Sequence, residues 1–216
     1  MTRTARIALT LALICGVGLV ALLLTNRSRA EDPRADVMAG ESALVRANSH
    51  RLSIVPDGRV TLVEFLDFEC EACGGVYPLV EKLRQEYGER VSFVVRYFPI
   101  PSHVNAERAA RAAEAAAQQG KFEQMYQRLY ETQSVWGEQR TPKDDVFRIF
   151  AADLGLDLAA FDAAYNDPAT LDRIRADIAD GTALGVDATP TFFLNGQRIT
   201  PRSYQDLSNA LDQALR

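Results

Sequence analysis

The feature that most constrains the fold is a change in hydrophobic spacing on either side of a cysteine pair. Apolar and β-branched residues dominate from Val60 to Phe68, which is typical of a buried β-strand. Apolar residues at helical intervals follow the pair: Val76, Val80, Leu83 and Tyr87. The pattern predicts a strand that leads directly into a helix, with the C-x-x-C motif of Cys70 and Cys73 at the junction.

The position of these cysteines suits thiol–disulfide chemistry. Only a thiolate attacks or leaves in disulfide exchange, and the free N–H groups and dipole of a helix N-terminus stabilise negative charge. Cys70 stands at the first helical positions and should be the acidic, reactive sulfur. Cys73 lies one turn further in and should be more buried and less acidic. Pro78 removes a helical hydrogen bond and should kink the helix after its first turn.

Glu64 is a second candidate for the same chemistry. On a strand it shares the parity of Leu62 and Leu66, so it should point into a core layer. A buried carboxyl is costly unless it has a task, such as moving protons to and from the cysteine pair. The alternative is an edge-strand residue that faces water.

Other interpretations of the C-x-x-C motif stay open. A zinc site needs a second Cys or His pair at similar spacing, and the remaining candidates are only Cys15, His50 and His103. We therefore predict no metal and no cofactor, and a purely structural disulfide is the other alternative. His103 follows a predicted strand in a proline-rich loop, and we interpret it as a turn residue rather than a site residue.

The N-terminus indicates export. Residues 7–24 are almost wholly apolar and follow Arg3 and Arg6. This run exceeds a typical signal-peptide core and just reaches the length of a membrane span. We favour an uncleaved signal anchor over residues 1–25, and cleavage near Ala30 to give a secreted or periplasmic protein is the alternative. Either way the domain lies outside the cytoplasm, where disulfides persist.

Charge argues against a nucleic-acid partner. The net charge is -5. Four arginines precede residue 31, so the rest of the chain carries -5 - 4 = -9. The sequence has no cluster of Lys and Arg residues of the kind that binds nucleic acid.

Further strands complete a predicted α/β pattern. Residues 26–49 are expected to form a linker, and residues 52–55 a short strand before a turn at residues 56–58. Val91–Tyr97 is a strong strand, and a strand–helix–strand order implies that it pairs in parallel with the strand before Cys70. A strand over Thr191–Leu194 should return through an Asn-Gly hairpin turn at residues 195–196, and a helix over residues 203–215 should close the chain.

The residues from about 105 to 184 form a helical block between the strands. Asn105 is a fitting N-cap for its first helix. Thr141 and Pro142 should start a later helix, and Asp167 with Pro168 another. The aromatic stripes of the block are interpreted as core.

With these motifs in place, the chain resembles the DsbA-like, thioredoxin-fold thiol:disulfide oxidoreductases of bacterial cell envelopes. The resemblance rests on Glu64, the C-x-x-C motif, the helical block and the segment from Gly185 to Gly196, and it covers about residues 50–215. It implies a thioredoxin-like α/β fold over residues 50–216, with a helical insertion between the second core strand and the Thr-Pro strand. An N-terminal membrane-anchor helix would precede that domain.

The resemblance also assigns roles. It implies that Pro190 is cis and presents the Thr189 backbone to a substrate strand beside Cys70, whereas a trans proline at a strand start is the alternative. Glu64 matches the family's buried acidic residue. Cys70 and Cys73 would form a redox disulfide. The implied partners are exported proteins that contain cysteine and a membrane redox partner of the quinone-linked type.

One departure from the family pattern bears on the redox potential. Family members often carry proline, and sometimes histidine, between the cysteines, but this chain has Glu71 and Ala72. The like charge of Glu71 should leave Cys70 with a pKa above that of the strongest oxidants of the class. The predicted function is a dithiol oxidase. The alternatives are a reductase or isomerase of the same fold, and a peptide-binding module or holdase that uses the groove around Pro190.

Overall fold

The computed structural model describes residues 43–55 and 59–216, which lie within one unit spanning Gly40–Arg216. The predicted anchor at residues 7–24, Cys15, the cleavage site near Ala30 and the turn at residues 56–58 fall outside the described residues. Within the described part, no helix combines the length and apolar character needed to cross a membrane.

A mixed β-sheet forms the centre of the described structure. Its strands are β1 (His50–Ser53), β2 (Thr61–Leu66), β3 (Ser92–Tyr97), β4 (Thr191–Leu194) and β5 (Gln197–Ile199). The order across the sheet is β1-β3-β2-β4-β5. Strand β2 pairs in parallel with β3, as predicted, and antiparallel with β4. The strand that leads to the cysteines is therefore central and has a neighbour on both sides.

Helices account for most of the remaining described residues. They are α1 (Glu71–Tyr87), α2 (Ala106–Ala117), α3 (Phe122–Glu131), α4 (Gln133–Trp136), α5 (Asp144–Asp153), α6 (Leu158–Asn166), α7 (Pro168–Ala183) and α8 (Tyr204–Ala214). Helices α2 to α7 all lie between β3 and β4, which confirms the predicted insertion. The Asn-Gly turn is also confirmed, with positive φ values of 48° at Asn195 and 83° at Gly196.

The first strand differs from its prediction. It covers His50–Ser53 rather than residues 52–55, and it pairs antiparallel with β3 through an irregularity between Arg51 and Ser53. Beyond it, the Val55 N–H bonds to the Ser92 hydroxyl instead of a backbone carbonyl. The side-chain bond ends the ladder two residues early, and Ile54 points to solvent.

Asn105 occupies the N-cap position of α2, as predicted, but its side chain makes no capping bond. Its Oδ1 accepts from the Lys143 N–H at 2.9 Å, and its Nδ2 donates to the Thr141 carbonyl at 3.2 Å. The predicted start of the later helix at Thr141 and Pro142 is wrong. These bonds hold the chain around residues 141–143 in a loop, so α5 begins at Asp144 and not at Pro142. The start at Asp167 is confirmed, because its side chain accepts from the Ala169 N–H.

The insertion packs its aromatic side chains against the start of α1, which confirms that these stripes are core. Tyr126 and Tyr130 from α3 contact Phe68 and Tyr77, with ring centroids 5.1 to 6.1 Å apart. Each fully buried aromatic side chain stabilises the fold by about 1.5–3 kcal/mol relative to exposure. The insertion is therefore fixed over the cysteine-bearing end of α1.

A buried ion pair fastens α7 to the sheet. Arg96 on β3 is fully buried, and its Nε donates to the Asp177 carboxylate at 2.8 Å. The second oxygen of Asp177 accepts from the Tyr97 N–H at 3.0 Å, and Asp180 accepts from the same guanidinium. The carboxylates compensate a charge that would otherwise be very costly inside the protein.

Candidate active site

Cys70 lies at the N-cap of α1, where the end of a strand meets the start of the helix. Its backbone is extended, its N–H donates to the Asp67 carbonyl at 3.2 Å, and its carbonyl accepts from the Gly74 N–H at 3.0 Å. The thiol is half-buried. A hydrogen bond from Cys73 lowers its pKa to about 5, against the opposing effect of burial and with help from the Thr189 side chain and the N–H groups of Cys73 and Ala72.

Cys73 has the opposite character. It is buried, and burial raises its pKa well above the usual value, with further contributions from the hydrogen bond to Cys70 and the charge of Glu64. Both cysteines are thiols in this structure. The pair therefore has the asymmetry predicted from its place on the helix, with an accessible, acidic outer sulfur and a buried inner one.

A loop from far along the chain faces Cys70. The Thr189–Pro190 peptide bond is cis, as expected from the resemblance. The Cys70 thiol donates to the Thr189 carbonyl at an Sγ–O distance of 3.4 Å. Thr189 and Pro190 are half-buried, so part of this loop is open to solvent beside the sulfur.

An apolar groove continues from the Pro190 loop. It lies between the first turns of α1 and the segment that connects β5 to α8. Its lining includes Val76, Leu79, Pro190, Ile199 and Leu207, together with Arg198 and Arg202.

Glu64 is buried on the central strand, which makes the edge-strand alternative wrong. Its neighbours are Val95 on β3 and Phe192 on β4, and it is 5% exposed. Burial raises its pKa to about 8, with smaller contributions from the charges of Glu81 and Cys70. The carboxyl is thus mostly protonated at neutral pH and is coupled electrostatically to both sulfurs.

Asp67 is a site residue that the sequence analysis missed. Its buried carboxylate accepts from the N–H of Glu69 at 2.8 Å and from the N–H of Ile100 at 2.9 Å. Its backbone carbonyl accepts from Cys70. Asp67 therefore shapes the turn between β2 and α1. An aspartate whose side chain bonds an N–H two residues later is a known turn signal and could have been recognised.

Gln133 is a second missed residue. From α4 its Nε2 donates to the carbonyl of Phe68 at 2.7 Å and to that of Cys70 at 2.9 Å. A Cβ atom at Gly74 would come within 2.0 Å of the Gln133 Oε1. Glycine at this position thus allows the insertion to approach the active-site helix closely.

His103 forms a turn and also contacts the site. Its N–H bonds to the Ile100 carbonyl at 3.0 Å, in agreement with the turn interpretation. Its ring Nδ1 lies 2.6 Å from the Asp67 Oδ2, a contact that this interpretation did not include. In the described part of the chain, no three His, Cys, Asp or Glu side chains are grouped as a metal ion would require.

Comparisons with known proteins define the class. The chain matches the family model described as Thioredoxin over residues 55–213, and it belongs to that family. A thioredoxin-like oxidoreductase from Silicibacter pomeroyi DSS-3 is 28% identical, with a TM-score of 0.68 over 80% of this chain and 96% of that one. The α-DsbA1 structure from Wolbachia pipientis is 19% identical, with a TM-score of 0.71 over 82% and 95%. The fold is that of the DsbA-like thiol–disulfide oxidoreductases.

A curated relative carries a different name. The Na(+)/H(+) antiporter NhaA of Herminiimonas arsenicoxydans is 38% identical over 143 residues, which are 66% of this chain and 22% of that protein. The chain thus spans less than a quarter of that relative. Its name, with the antiporter activity, belongs to that whole protein.

Proposed function

We propose that this protein is a dithiol oxidase for exported proteins, working through a Cys70–Cys73 redox disulfide. Thiol–disulfide oxidoreductase is the class of activity found on the DsbA-like fold described above. The observation that carries the proposal is the position of the Cys70 sulfur, acidic and half-buried at a helix N-terminus, 3.4 Å from the carbonyl of Thr189. A sulfur that is stable as a thiolate is a good leaving group and favours the reduced enzyme.

The reaction proceeds in two exchange steps. A substrate thiolate attacks the Cys70 sulfur of the oxidised enzyme, the bond between Cys70 and Cys73 breaks, and a mixed disulfide forms while Cys73 leaves. A second substrate thiolate then attacks the substrate sulfur of that mixed disulfide and releases Cys70 as a thiolate. The substrate has lost two electrons and gained a disulfide, and the enzyme pair has gained the two electrons.

Glu64 is proposed to supply the proton that the leaving Cys73 sulfur needs. Its pKa of about 8 keeps it mostly protonated near neutral pH, and the pKa of Cys73 lies well above the usual value. Proton transfer from Glu64 to the Cys73 thiolate is therefore favourable. In the reverse direction, the Glu64 carboxylate would accept the proton from Cys73.

The Thr189–Pro190 loop and the adjoining groove are proposed to bind the substrate. The exposed part of the loop can pair with an extended substrate segment and place its cysteine beside Cys70. The apolar lining suits the unfolded state of an exported chain, in which apolar side chains are exposed.

We propose a cellular setting from the N-terminal sequence. Residues 1–25 would anchor the protein and residues 26–49 would tether the domain outside the cytoplasm, or cleavage near Ala30 would release it. A membrane redox partner, of the quinone-linked type expected from the resemblance, would take the two electrons and restore the disulfide.

Trapping the cysteine state in cells tests the direction of electron flow. Rapid acid quenching followed by thiol alkylation should show Cys70 and Cys73 mostly oxidised. A mostly reduced pair would contradict the oxidase proposal and favour a reductase or isomerase. Cys70→Ser should abolish oxidation of a reduced dithiol peptide; an unchanged cellular function in this variant would instead favour the binding-module alternative.

A further inference from the structure

His103 occupies a place next to the active-site turn that the exchange chemistry above does not use. It lies in the loop between β3 and α2. Its ring is 31% exposed, whereas the Asp67 carboxylate that it contacts at 2.6 Å is fully buried. One side of the imidazole is therefore open to solvent, and the other is held on a buried negative group.

Asp67 connects the imidazole to Cys70. The same side chain that holds His103 also accepts from the Glu69 N–H, and its backbone carbonyl accepts from the Cys70 N–H. A single residue thus sets both the position of the ring and the position of the reactive sulfur. His103 is fixed relative to Cys70 even though 33 positions separate them in the sequence.

The groups that face His103 are negative. Burial of the ring lowers its pKa, but the hydrogen bond with Asp67 and the charges of Asp67, Cys70 and Glu69 outweigh it, so the pKa lies above the usual value. The Glu69 carboxylate is itself held by the Asn105 N–H at 2.5 Å. Because coupling between two sites is reciprocal, a thiolate that favours the imidazolium is favoured by it to the same extent.

We propose that His103 is a positioning residue whose cationic form stabilises the Cys70 thiolate and thereby makes the Cys70–Cys73 disulfide a stronger oxidant. The inference rests on the redox function proposed above. Reduction of the disulfide by a substrate dithiol breaks the S–S bond, transfers two electrons to the pair, leaves Cys70 as a thiolate and Cys73 as a thiol, and releases one proton. His103 stabilises the reduced form of the pair, in which Cys70 is a thiolate.

A pair of matched variants tests the proposal. His103→Gln keeps a group that can donate to Asp67 but removes the charge. His50→Gln is the control, because the His50 ring also contacts a carboxylate, that of Glu114 at 2.7 Å, but on β1 and against Phe122. In His103→Gln the pKa of Cys70 should rise, and the equilibrium with glutathione should shift about threefold to tenfold toward the protein disulfide. The control should match wild type in both measurements.

A measurement on the wild-type protein tests the same proposal and does not depend on whether a variant folds. Imidazole titration by NMR should give a lower pKa for His103 in the oxidised protein than in the reduced protein. Equal values in the two states would overturn the inference. A disulfide that forms but has the wild-type equilibrium in His103→Gln overturns this inference alone, whereas failure to form any Cys70–Cys73 disulfide overturns the proposed function as well.

Discussion

Gln133 donates from its Nε2 to the carbonyl oxygen of Cys70 at 2.9 Å, so a helix of the insertion holds the N-cap residue of the active-site helix. The same amide donates to the Phe68 carbonyl at 2.7 Å, on the strand side of the junction. The insertion therefore does more than cover the core. It fixes the turn that presents the reactive sulfur.

Adjacent glycines allow this contact to be tested. In Gly74→Ala the new Cβ would displace the Gln133 side chain, so both amide bonds should be lost at a cost of about 1–2 kcal/mol in the free energy of unfolding. Gly75→Ala is the control, because a Cβ there meets no atom within 4 Å. It should stabilise the helix by up to about 1 kcal/mol. Urea unfolding of both variants checks the difference, and equal effects would contradict a supporting role for Gln133.

Glu64→Gln should improve stability while it impairs turnover. The pKa of Glu64 rises from 4.5 to about 8 on folding, so the folded state binds more protons than the unfolded state between these values. The stability of the wild type therefore falls as pH increases through this range, by as much as about 5 kcal/mol. The glutamine variant lacks this penalty and should be the more stable protein at pH 8.

Exchange kinetics provide the other half of the Glu64 test. If Glu64 supplies the proton for Cys73, the glutamine variant should oxidise a dithiol peptide more slowly near neutral pH, by about 10-fold or more. A variant with wild-type rates at every pH would show that Glu64 takes no part in proton transfer.

Asp177→Asn should destabilise the fold without changing the redox chemistry. Removal of one partner leaves the buried Arg96 undercompensated, at an expected cost of about 3 kcal/mol. Asp172→Asn is the control on the same helix, since its pair with Arg175 is exposed and 3.6 Å long. Thermal unfolding should separate the two variants clearly, and their equilibria with glutathione should both match wild type.

Glu71→Gln tests the charge within the C-x-x-C motif. Glu71 is exposed at the start of α1, so its repulsion of the Cys70 thiolate is reduced by solvent and salt. Its removal should lower the pKa of Cys70 by about half a unit or less at low salt. Titration of the thiolate at low and high ionic strength measures this effect. A rise in the pKa would contradict the assigned repulsion.

The sequence predicted those parts of the site that depend only on neighbouring residues. The strand-to-helix change located Cys70 and Cys73, and strand parity placed Glu64 in the core, because both patterns repeat within a few residues. Asp67 was missed although its spacing to Glu69 is a local turn signal. Gln133 could not be found in this way, since its partners are more than 60 positions away and glutamine has no pattern that distinguishes this use.

The helix starts show the same limit. Asp167 caps its own helix, and its prediction was correct. Asn105 occupies the predicted N-cap position of α2, but its amide bonds to residues 139, 141 and 143 in a distant loop instead of capping the helix. That tertiary competition also delays the start of α5 beyond Pro142, and neither effect is visible in the local sequence.

The reduction potential of the Cys70–Cys73 pair is the most direct test of its proposed redox role. Purified protein would be equilibrated in glutathione buffers of graded ratio, quenched with acid and scored for the disulfide by mass. We expect one two-electron transition at a potential above that of thioredoxin, about −270 mV, and below that of DsbA, about −120 mV. A pair that forms no disulfide in any buffer, or a potential at or below that of thioredoxin, would contradict an oxidase built on these two sulfurs.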